Sequence, residues 1–245
     1  QRDLGADFIV VFDECTPFNV DKDYTYNSMK RSHRWSQRSI NAFNSNLNYK
    51  AKEGSSGTQE IYGIIQGGIY KDMREESIEF NQNNINTFGL AIGGSLGSSK
   101  AEMQEIVNFT ASKLNNIRPV HLLGIGDPID IWTFVEQGID TFDCVSPTRL
   151  ARHGSALVKG KHGKINLKNK KYNENLNPID NNCLCYTCRN FTLSYLNHLF
   201  ASQELLALQL LTNHNIFFMN NLMETIRIAI KENNFENKKN EWLNL

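Results

Sequence analysis

Two short stretches hold side chains whose types and spacing suit chemistry. In FDCVSPTRLARHG (142–154), an acid, Asp143, and a thiol, Cys144, close an apolar run, and Arg149 and Arg152 follow. An acid in that place is a nucleophile, a metal ligand or a buried accident, and the stretch alone does not choose. The second stretch, CLCYTC, sets Cys183, Cys185 and Cys188 in a C-x-C-x-x-C cluster. Disulfides among cysteines so close would be strained, whereas their thiolates can face one tetrahedral ion at about 2.3 Å each. A fourth ligand is needed, and His214 lies beyond a helix-like segment long enough to leave the cluster and return. His198 is the rival, but it shares a helix face with Phe191 and Tyr195, which reads as packing or an interface. Three thiolates and an imidazole fill a tetrahedral shell, so the expected cofactor is one structural zinc ion per subunit. Cysteines used this way point to a reducing compartment, and the expected location is cytoplasmic.

Composition narrows the partners. The 245 residues carry 26 basic and 26 acidic side chains. That neutral average hides a stretch from Arg149 to Lys171 with eight Lys or Arg and no acid. A confined basic stretch on a neutral protein suits an anionic partner such as nucleic acid. No apolar run is long enough to span a bilayer. The opening QRDLGADFIVVFDE reads as the middle of a domain, so an N-terminal part is expected to be missing.

The elements that must position these groups form a repeat of short β-branched run, loop and helical stretch. The runs are FIVVFDE (8–14), IYGIIQ (61–66), GLAIGG (89–94), PVHLLGI (119–125) and DTFDCV (140–145). Ser99 with Glu102 predicts a capping box. Asp127-Pro128 predicts a helix start, and Gly138 a stop. Five such units imply a parallel sheet, as an open doubly wound sheet or as part of a (β/α)8 barrel. Polar and glycine positions fall at the C-terminal ends of all the runs: Asp13, Gln66, Gly93, Gly94, Gly124 and Asp143. That distribution favours a TIM barrel, here incomplete with about five C-terminal units, because an open sheet gathers its site at one switch point. The expected organisation is a barrel part over 1–150, a basic loop region with a zinc-binding subdomain over 151–215, and a terminal helix with a frayed Asn/Lys-rich tail over 216–245.

FDECTPF, GIIQGGIYKDMREES, GLAIGGS, LLGIGDP, GIDTFDCVSPTR and CLCYTCRN…TNH together resemble the tRNA-guanine transglycosylases, or queuine tRNA-ribosyltransferases, of bacterial type. The resemblance covers nearly the whole chain. It implies a (β/α)8 barrel with an inserted zinc subdomain. It also implies exchange of guanine at the wobble position of tRNA for 7-aminomethyl-7-deazaguanine or queuine, within queuosine biosynthesis. Asp143 then matches the nucleophile, whose carboxylate attacks the ribose anomeric carbon and forms a covalent tRNA ester. Asp13 matches the acid on the amidine-like edge of the base. Gln66 and the backbone of Gly93 and Gly94 match the groups at the base carbonyl, and Leu123 and Gly124 those near the 7-substituent. Arg149 and Arg152 match contacts to the anticodon loop. A homodimer is implied, through Phe191, Tyr195 and His198. Cys15 and Cys144 read as small buried fillers.

The family's second catalytic carboxylate falls upstream of FIVVFDE, so the isolated chain is expected to be inactive. Gly97 suggests room for queuine, whereas Cys15 matches the usual bacterial pattern, and the base substrate stays open. The rival readings are a noncatalytic partner subunit and a zinc-bearing RNA-binding protein of the same fold. Retention of both Asp13 and Asp143 argues for the active type.

Overall fold

The computed structural model describes residues 1–2, 4–45, 59–84, 86–115, 117–160 and 163–243. The chain forms two compact units, one of residues 1–125 with 133–143 and one of 126–132 with 144–245.

The first unit is built on five parallel strands: β1 (Phe8–Val10), β2 (Glu60–Ile65), β3 (Gly89–Ile92), β4 (Val120–Leu122) and β5 (Thr141–Phe142). Their order is β1-β2-β3-β4-β5. Each strand pairs with the next in sequence, so the sheet has no point where the strand order reverses. A doubly wound sheet requires such a point, and a stretch of barrel wall does not. Helices α1 (Lys22–Ser45), α2 (Lys71–Glu79) and α3 (Lys100–Ser112) form the crossovers. The last turn of α2 widens into a π turn over Phe80–Asn84.

Apolar residues cover both faces of the central strands, as parallel strands demand. Ile65, Leu90, Ile92 and Leu122 pack with Val107 and Phe134 in one cluster. Ile61, Ile64 and Ala91 pack with Ile9, Val11 and Ile40 in another. Each paired strand stops short of the C-terminal end of the apolar run that predicts it. Asp13, Gln66, Gly93, Leu123 and Asp143 therefore sit just past the last paired residue of five successive strands, where a barrel carries its reactive groups.

The helix signals behave as their chemistry dictates. Ser99 Oγ accepts from the Glu102 N–H at 3.2 Å. The return bond of the box goes one residue upstream, with Glu102 Oε2 accepting from the Ser98 N–H at 2.7 Å. Helix α4 (Pro128–Glu136) begins at its proline, and Asp127 Oδ1 accepts from the Ile129 N–H at 3.0 Å. Gly138, with φ of +91°, ends it in a conformation that L side chains avoid.

The second unit holds α5 (Ser146–Arg152) and an antiparallel hairpin of β6 (Ser155–Leu157) and β7 (Lys164–Asn166). Helices α6 (Tyr186–Asn190), α7 (Leu193–Ala201), α8 (Leu205–Lys231) and α9 (Phe235–Leu243) follow. Its core joins Ala156, Leu167, Leu196, Leu199, Leu210 and Leu211. The long segment after the cysteines is broken at Gln203, with φ of +56°, into α7 and α8. The Asn/Lys-rich tail, expected to fray, instead forms α9. Trp242 is buried there against Phe218, with ring centroids 5.5 Å apart, and Phe235 meets Trp132 at 5.1 Å. Two aromatic contacts, one of them fully buried, outweigh a polar composition.

Candidate active site and metal centre

Register explains how three residues of the first unit meet. Val120 and Leu122 of β4 point into one cluster, so by strand alternation His121 points to the other face. His121 is in register with Thr141 of β5, and Asp143, two residues on, shares the side of Thr141. The contacts follow. Thr141 Oγ1 lies 2.8 Å from His121 Nδ1, and Asp143 Oδ1 lies 3.2 Å from His121 Nε2. The Gly124 N–H donates to the same Oδ1 at 3.0 Å. Gly124 has φ of +77° and nothing within 4 Å of an added Cβ. Backbone conformation rather than crowding calls for glycine there, and that conformation aims the N–H at the carboxylate. The Asp143 side chain is 61% exposed, open to a partner from solution.

A second acid lies at the ends of β1 and β2. Asp13 Oδ2 accepts from Gln66 Nε2 at 2.6 Å. Half-burial raises the Asp13 pKa above its ordinary value, against opposing hydrogen bonds from its own backbone and from Gln66. Gln66 is fully buried, and its Oε1 has no hydrogen-bond partner. A Cβ on Gly94 would come within 2.5 Å of that oxygen, and one on Gly93 within 2.8 Å of Ile64. Both glycines let the backbone after β3 pass close over β2. The loop bearing Asp13 is tied to α1 by a stripe of serines. The Phe12 N–H donates to Ser39 Oγ at 3.1 Å, the Glu14 N–H donates to Ser32 Oγ at 2.9 Å, and Thr16 bonds Ser28 at 2.7 Å. Glu14 itself pairs with Arg31 and accepts from Tyr24 at 2.8 Å.

Several positioning residues escape a reading of the sequence. Arg74 is wholly buried and donates to the carbonyls of Gly68 (2.8 Å), Ile65 (3.2 Å) and Ser95 (3.4 Å). It joins the loops after β2 and β3, and burial pulls its pKa down to about 9. Ser77 Oγ accepts from the Gln66 N–H at 2.9 Å and bonds His33 Nε2 at 2.9 Å. His33 stacks on Phe80 at 4.1 Å. Of the residues that position the site, only His121 carried a signal in the sequence, as an imidazole inside the apolar run PVHLLGI.

Gly97 has a local explanation. Its φ is +114°, and an added Cβ would meet Glu102 at 2.6 Å, so the helix cap requires glycine whatever base is bound. Cys15 is exposed, and partial burial and Asp13 push its thiol pKa up, which suits no nucleophile. In the second unit, Cys144 Sγ accepts from the Ser146 N–H at 3.3 Å, and a Cβ on Gly126 would strike Cys144 at 2.5 Å. Cys144 thus acts as a filler, whereas Cys15, expected to be a small buried filler, lies exposed at the surface.

The second unit brings Cys183, Cys185, Cys188 and His214 together, with donor atoms within 4.8 Å of one another. His214 Nδ1 lies 3.8, 3.5 and 3.4 Å from the three sulfurs in that order. Ordinary zinc–sulfur and zinc–nitrogen bond lengths at tetrahedral angles place S and N about 3.6 Å apart, so the donors fit that ion. His214 Nε2 donates to the Leu157 carbonyl at 2.9 Å, which fixes the ring and turns Nδ1 toward the thiols. Hydrogen bonds with Cys183 and Cys188 lower the Cys185 pKa, while those with Cys183 and Cys185 raise that of Cys188. Burial would lower the His214 pKa, but bonds with Cys183 and Cys185 outweigh it and push it up to about 9. His198 is exposed on α7 and is not in the group.

Arg149 and Arg152 are exposed in the last turn of α5. Lys159, Lys164, Lys168, Lys170 and Lys171 are exposed in the same unit, and Lys161 lies outside the described residues. Phe191 and Tyr195 stack at 5.4 Å, with Tyr195 exposed beside His198. Among the described residues no helix is long and apolar enough to cross a membrane.

A family model described as queuine tRNA-ribosyltransferase matches residues 1–245. Proteins of that name from Roseiflexus sp., Oleidesulfovibrio alaskensis and Francisella tularensis subsp. novicida are 41%, 42% and 41% identical over 99–100% of the chain. The chain spans 61–63% of the length of these relatives. On this match over its whole length, the chain belongs to the queuine tRNA-ribosyltransferase family.

Proposed function

We propose that this chain carries the reacting half of a tRNA-guanine transglycosylase, which exchanges guanine at the wobble position of tRNA for a 7-deazaguanine. The observation that carries the proposal is the Asp143 carboxylate, exposed past β5 with one oxygen held by two donors. The other oxygen attacks the ribose anomeric carbon. The C–N bond breaks, its electron pair leaves with guanine, and an aspartyl ester joins enzyme to tRNA. The incoming base displaces the carboxylate, so configuration is retained. The proton that the departing guanine gains matches the one the incoming base loses.

Asp13 accepts from the ring N–H and exocyclic amine of the base together, a pairing that adenine and pyrimidines do not offer. Gln66 spends one amide hydrogen on Asp13, and its second, with the backbone of Gly93 and Gly94, serves the base carbonyl. The Gly124 N–H serves Asp143, so the group that Leu123 and Gly124 turn to the 7-substituent is a carbonyl. Arg149 and Arg152 bind the anticodon loop. Cys183, Cys185, Cys188 and His214 would hold a zinc ion, which would supply a structural cross-link between the cysteine knuckle and α8.

The complete architecture in this reading is a (β/α)8 barrel. Residues 1–150 are its C-terminal part, 151–215 the basic loops and zinc subdomain, and 216–245 the terminal helical region. The enzyme works in the cytoplasm as a homodimer that meets through Phe191, Tyr195 and His198. Sedimentation of a full-length Tyr195→Ala protein tests that contact, and a wild-type monomer at micromolar concentration would refute it. The activity test is transfer of labelled 7-deazaguanines into tRNA by a full-length protein carrying this chain, with guanine released. A protein that binds tRNA but releases no guanine would favour the noncatalytic partner subunit instead.

A further inference from the structure

His121 is an ionisable group inside an apolar strand, and the family comparison assigns it nothing. Its two nitrogens have different neighbours. Nε2 faces Asp143 Oδ1 at 3.2 Å, and Nδ1 faces the Thr141 hydroxyl at 2.8 Å. A carboxylate oxygen accepts, so Nε2 is the donor to Asp143, and the Thr141 hydroxyl bonds the other ring nitrogen and holds the ring in that orientation. The Tyr62 ring stands edge-on at 6.1 Å and limits where the imidazole can turn. The His121 side chain is 19% exposed, against 61% for Asp143. The donor is held and largely covered, while the carboxylate it touches is open.

We infer that His121 is a positioning residue that, with the Gly124 N–H, reserves Asp143 Oδ1 as the charge-holding oxygen and leaves Oδ2 to bond the ribose carbon. The inference rests on the transglycosylase reading of the site. It has a consequence that differs between the two displacements. In the first, Oδ2 gives its electron pair to the anomeric carbon, the C–N pair leaves with guanine, and Oδ1 becomes the ester carbonyl. In the second, the ester C–O bond breaks, its pair returns to the carboxylate, and the deazaguanine nitrogen takes the carbon. Donors on Oδ1 make the carboxylate a slightly poorer nucleophile and a better leaving group. His121 therefore assists breakdown of the ester more than its formation.

The test uses a full-length protein carrying this chain. Replacing His121 by Leu removes the donor, and His121→Gln offers a neutral one. Thr141→Val leaves the imidazole but removes the hydroxyl that holds its orientation. Base exchange by His121→Leu should fall roughly tenfold or more, the worth of one charge-assisted hydrogen bond. The covalent tRNA adduct should persist longer than in wild type, with KM for tRNA little changed. His121→Gln should recover part of the rate, and Thr141→Val should show the same adduct build-up more weakly. Wild-type exchange and adduct lifetime in His121→Leu would overturn the inference. So would equal losses in the Leu and Gln variants without adduct build-up, which mark a merely structural role. If His121→Leu does not fold, Thr141→Val decides by the same two readouts. Full exchange in Asp143→Asn would instead overturn the reading of the site itself, and His121 with it.

Discussion

The carboxylate site and the cysteine–histidine centre are built by opposite strategies. The first collects residues from the ends of five successive strands. No two of Asp13, Gln66, Gly94, Gly124 and Asp143 share a loop, and their geometry comes from strand register and from braces such as Arg74 and Ser77. The second takes three donors from six residues of chain and one from a helix, with a single carbonyl, that of Leu157, to aim the ring. A site assembled by register is accurate only while the sheet is intact, and its loops remain open to substrate. A site assembled by a short knuckle is closed, and it contributes stability in proportion to its affinity for the ion. Substitutions should therefore separate the two regions by what is lost, chemistry in the first and folding in the second.

The largest separation is expected at Asp143. Asp143→Asn in a full-length protein should lower base exchange by more than about a thousandfold, since a carboxamide cannot form the ester. Thermal stability and zinc content should match wild type, because the side chain is exposed and packs little. Recovery of a covalent tRNA adduct from this variant would reverse the contrast at its root.

Replacing Cys185 and Cys188 together by Ser should act the other way. Both are buried, and the variant should lose its one equivalent of zinc and several kcal/mol of stability. Loss of tRNA affinity should follow from loss of structure in the second unit. Elemental analysis settles the ligand set, and one retained equivalent of zinc would rule these residues out as ligands.

How far each region could be read from sequence follows the same division. The metal centre was almost wholly legible, because the spacing of three cysteines constrains their geometry within six residues. His214 was legible too, as the histidine beyond a helical segment long enough to return, and the fold adds only the hairpin carbonyl of Leu157 that aims its ring. The strand ends were legible as positions, because Asp13, Gln66 and Asp143 interrupt apolar runs. Their partners were not. That His121 meets Asp143 depends on the β4–β5 register, and a shift of one residue would turn the ring to the other face. Arg74, Ser77 and His33 act through contacts between elements that no local pattern announces. Gly97, which read as room for substrate, also has a local role, because its φ of +114° beside Glu102 strains any other residue there. The tail misled, because burial of Trp242 does not appear in composition.

A pH titration sharpens the comparison on the side of the register-built site. His33 is buried, stacked on Phe80 and bonded to the serine that holds the Gln66 backbone. Burial, with help from Lys30, lowers its pKa to about 4. A folded pKa below the unfolded value of about 6.5 means that the unfolded chain binds the proton more readily. The stabilisation is complete above about 6.5 and is lost as pH falls through about 4. The gap corresponds to about 3 kcal/mol at most. Denaturant unfolding at pH 7, 5.5 and 4 should show that loss in wild type and a shallower one in His33→Gln. Parallel slopes for the two proteins would remove His33 from the account.

The smallest effect concerns the basic residues of the second unit, and there the contrast lies between affinity and choice. Lys168, Lys170 and Lys171 are exposed around a short 3-10 turn (Lys170–Tyr172) that carries the last two. In the proposed function these exposed ammonium groups meet phosphates, which give affinity without sequence preference. Arg149 stands in the last turn of α5, six residues after Asp143 in the chain, and a planar guanidinium there can stack on a base or bond its edge. The lysines are best replaced by Gln, because the Lys168 stem lies against Gly154, whose φ of +87° leaves little room for rearrangement, and Gln keeps part of that stem. The triple Lys→Gln variant should weaken every tRNA alike and lower the salt slope by roughly 2, at about 0.7 for each phosphate contact on single-stranded RNA. Arg149→Ala should leave most of the slope. It should cost roughly 1–3 kcal/mol on the matched anticodon loop and less on altered ones, by analogy with base readout in DNA. Binding and exchange measured on both tRNA classes at two salt concentrations check the division. Equal losses on all tRNAs for Arg149→Ala, with an unchanged slope for the lysine variant, would mean that the two groups have each other's role.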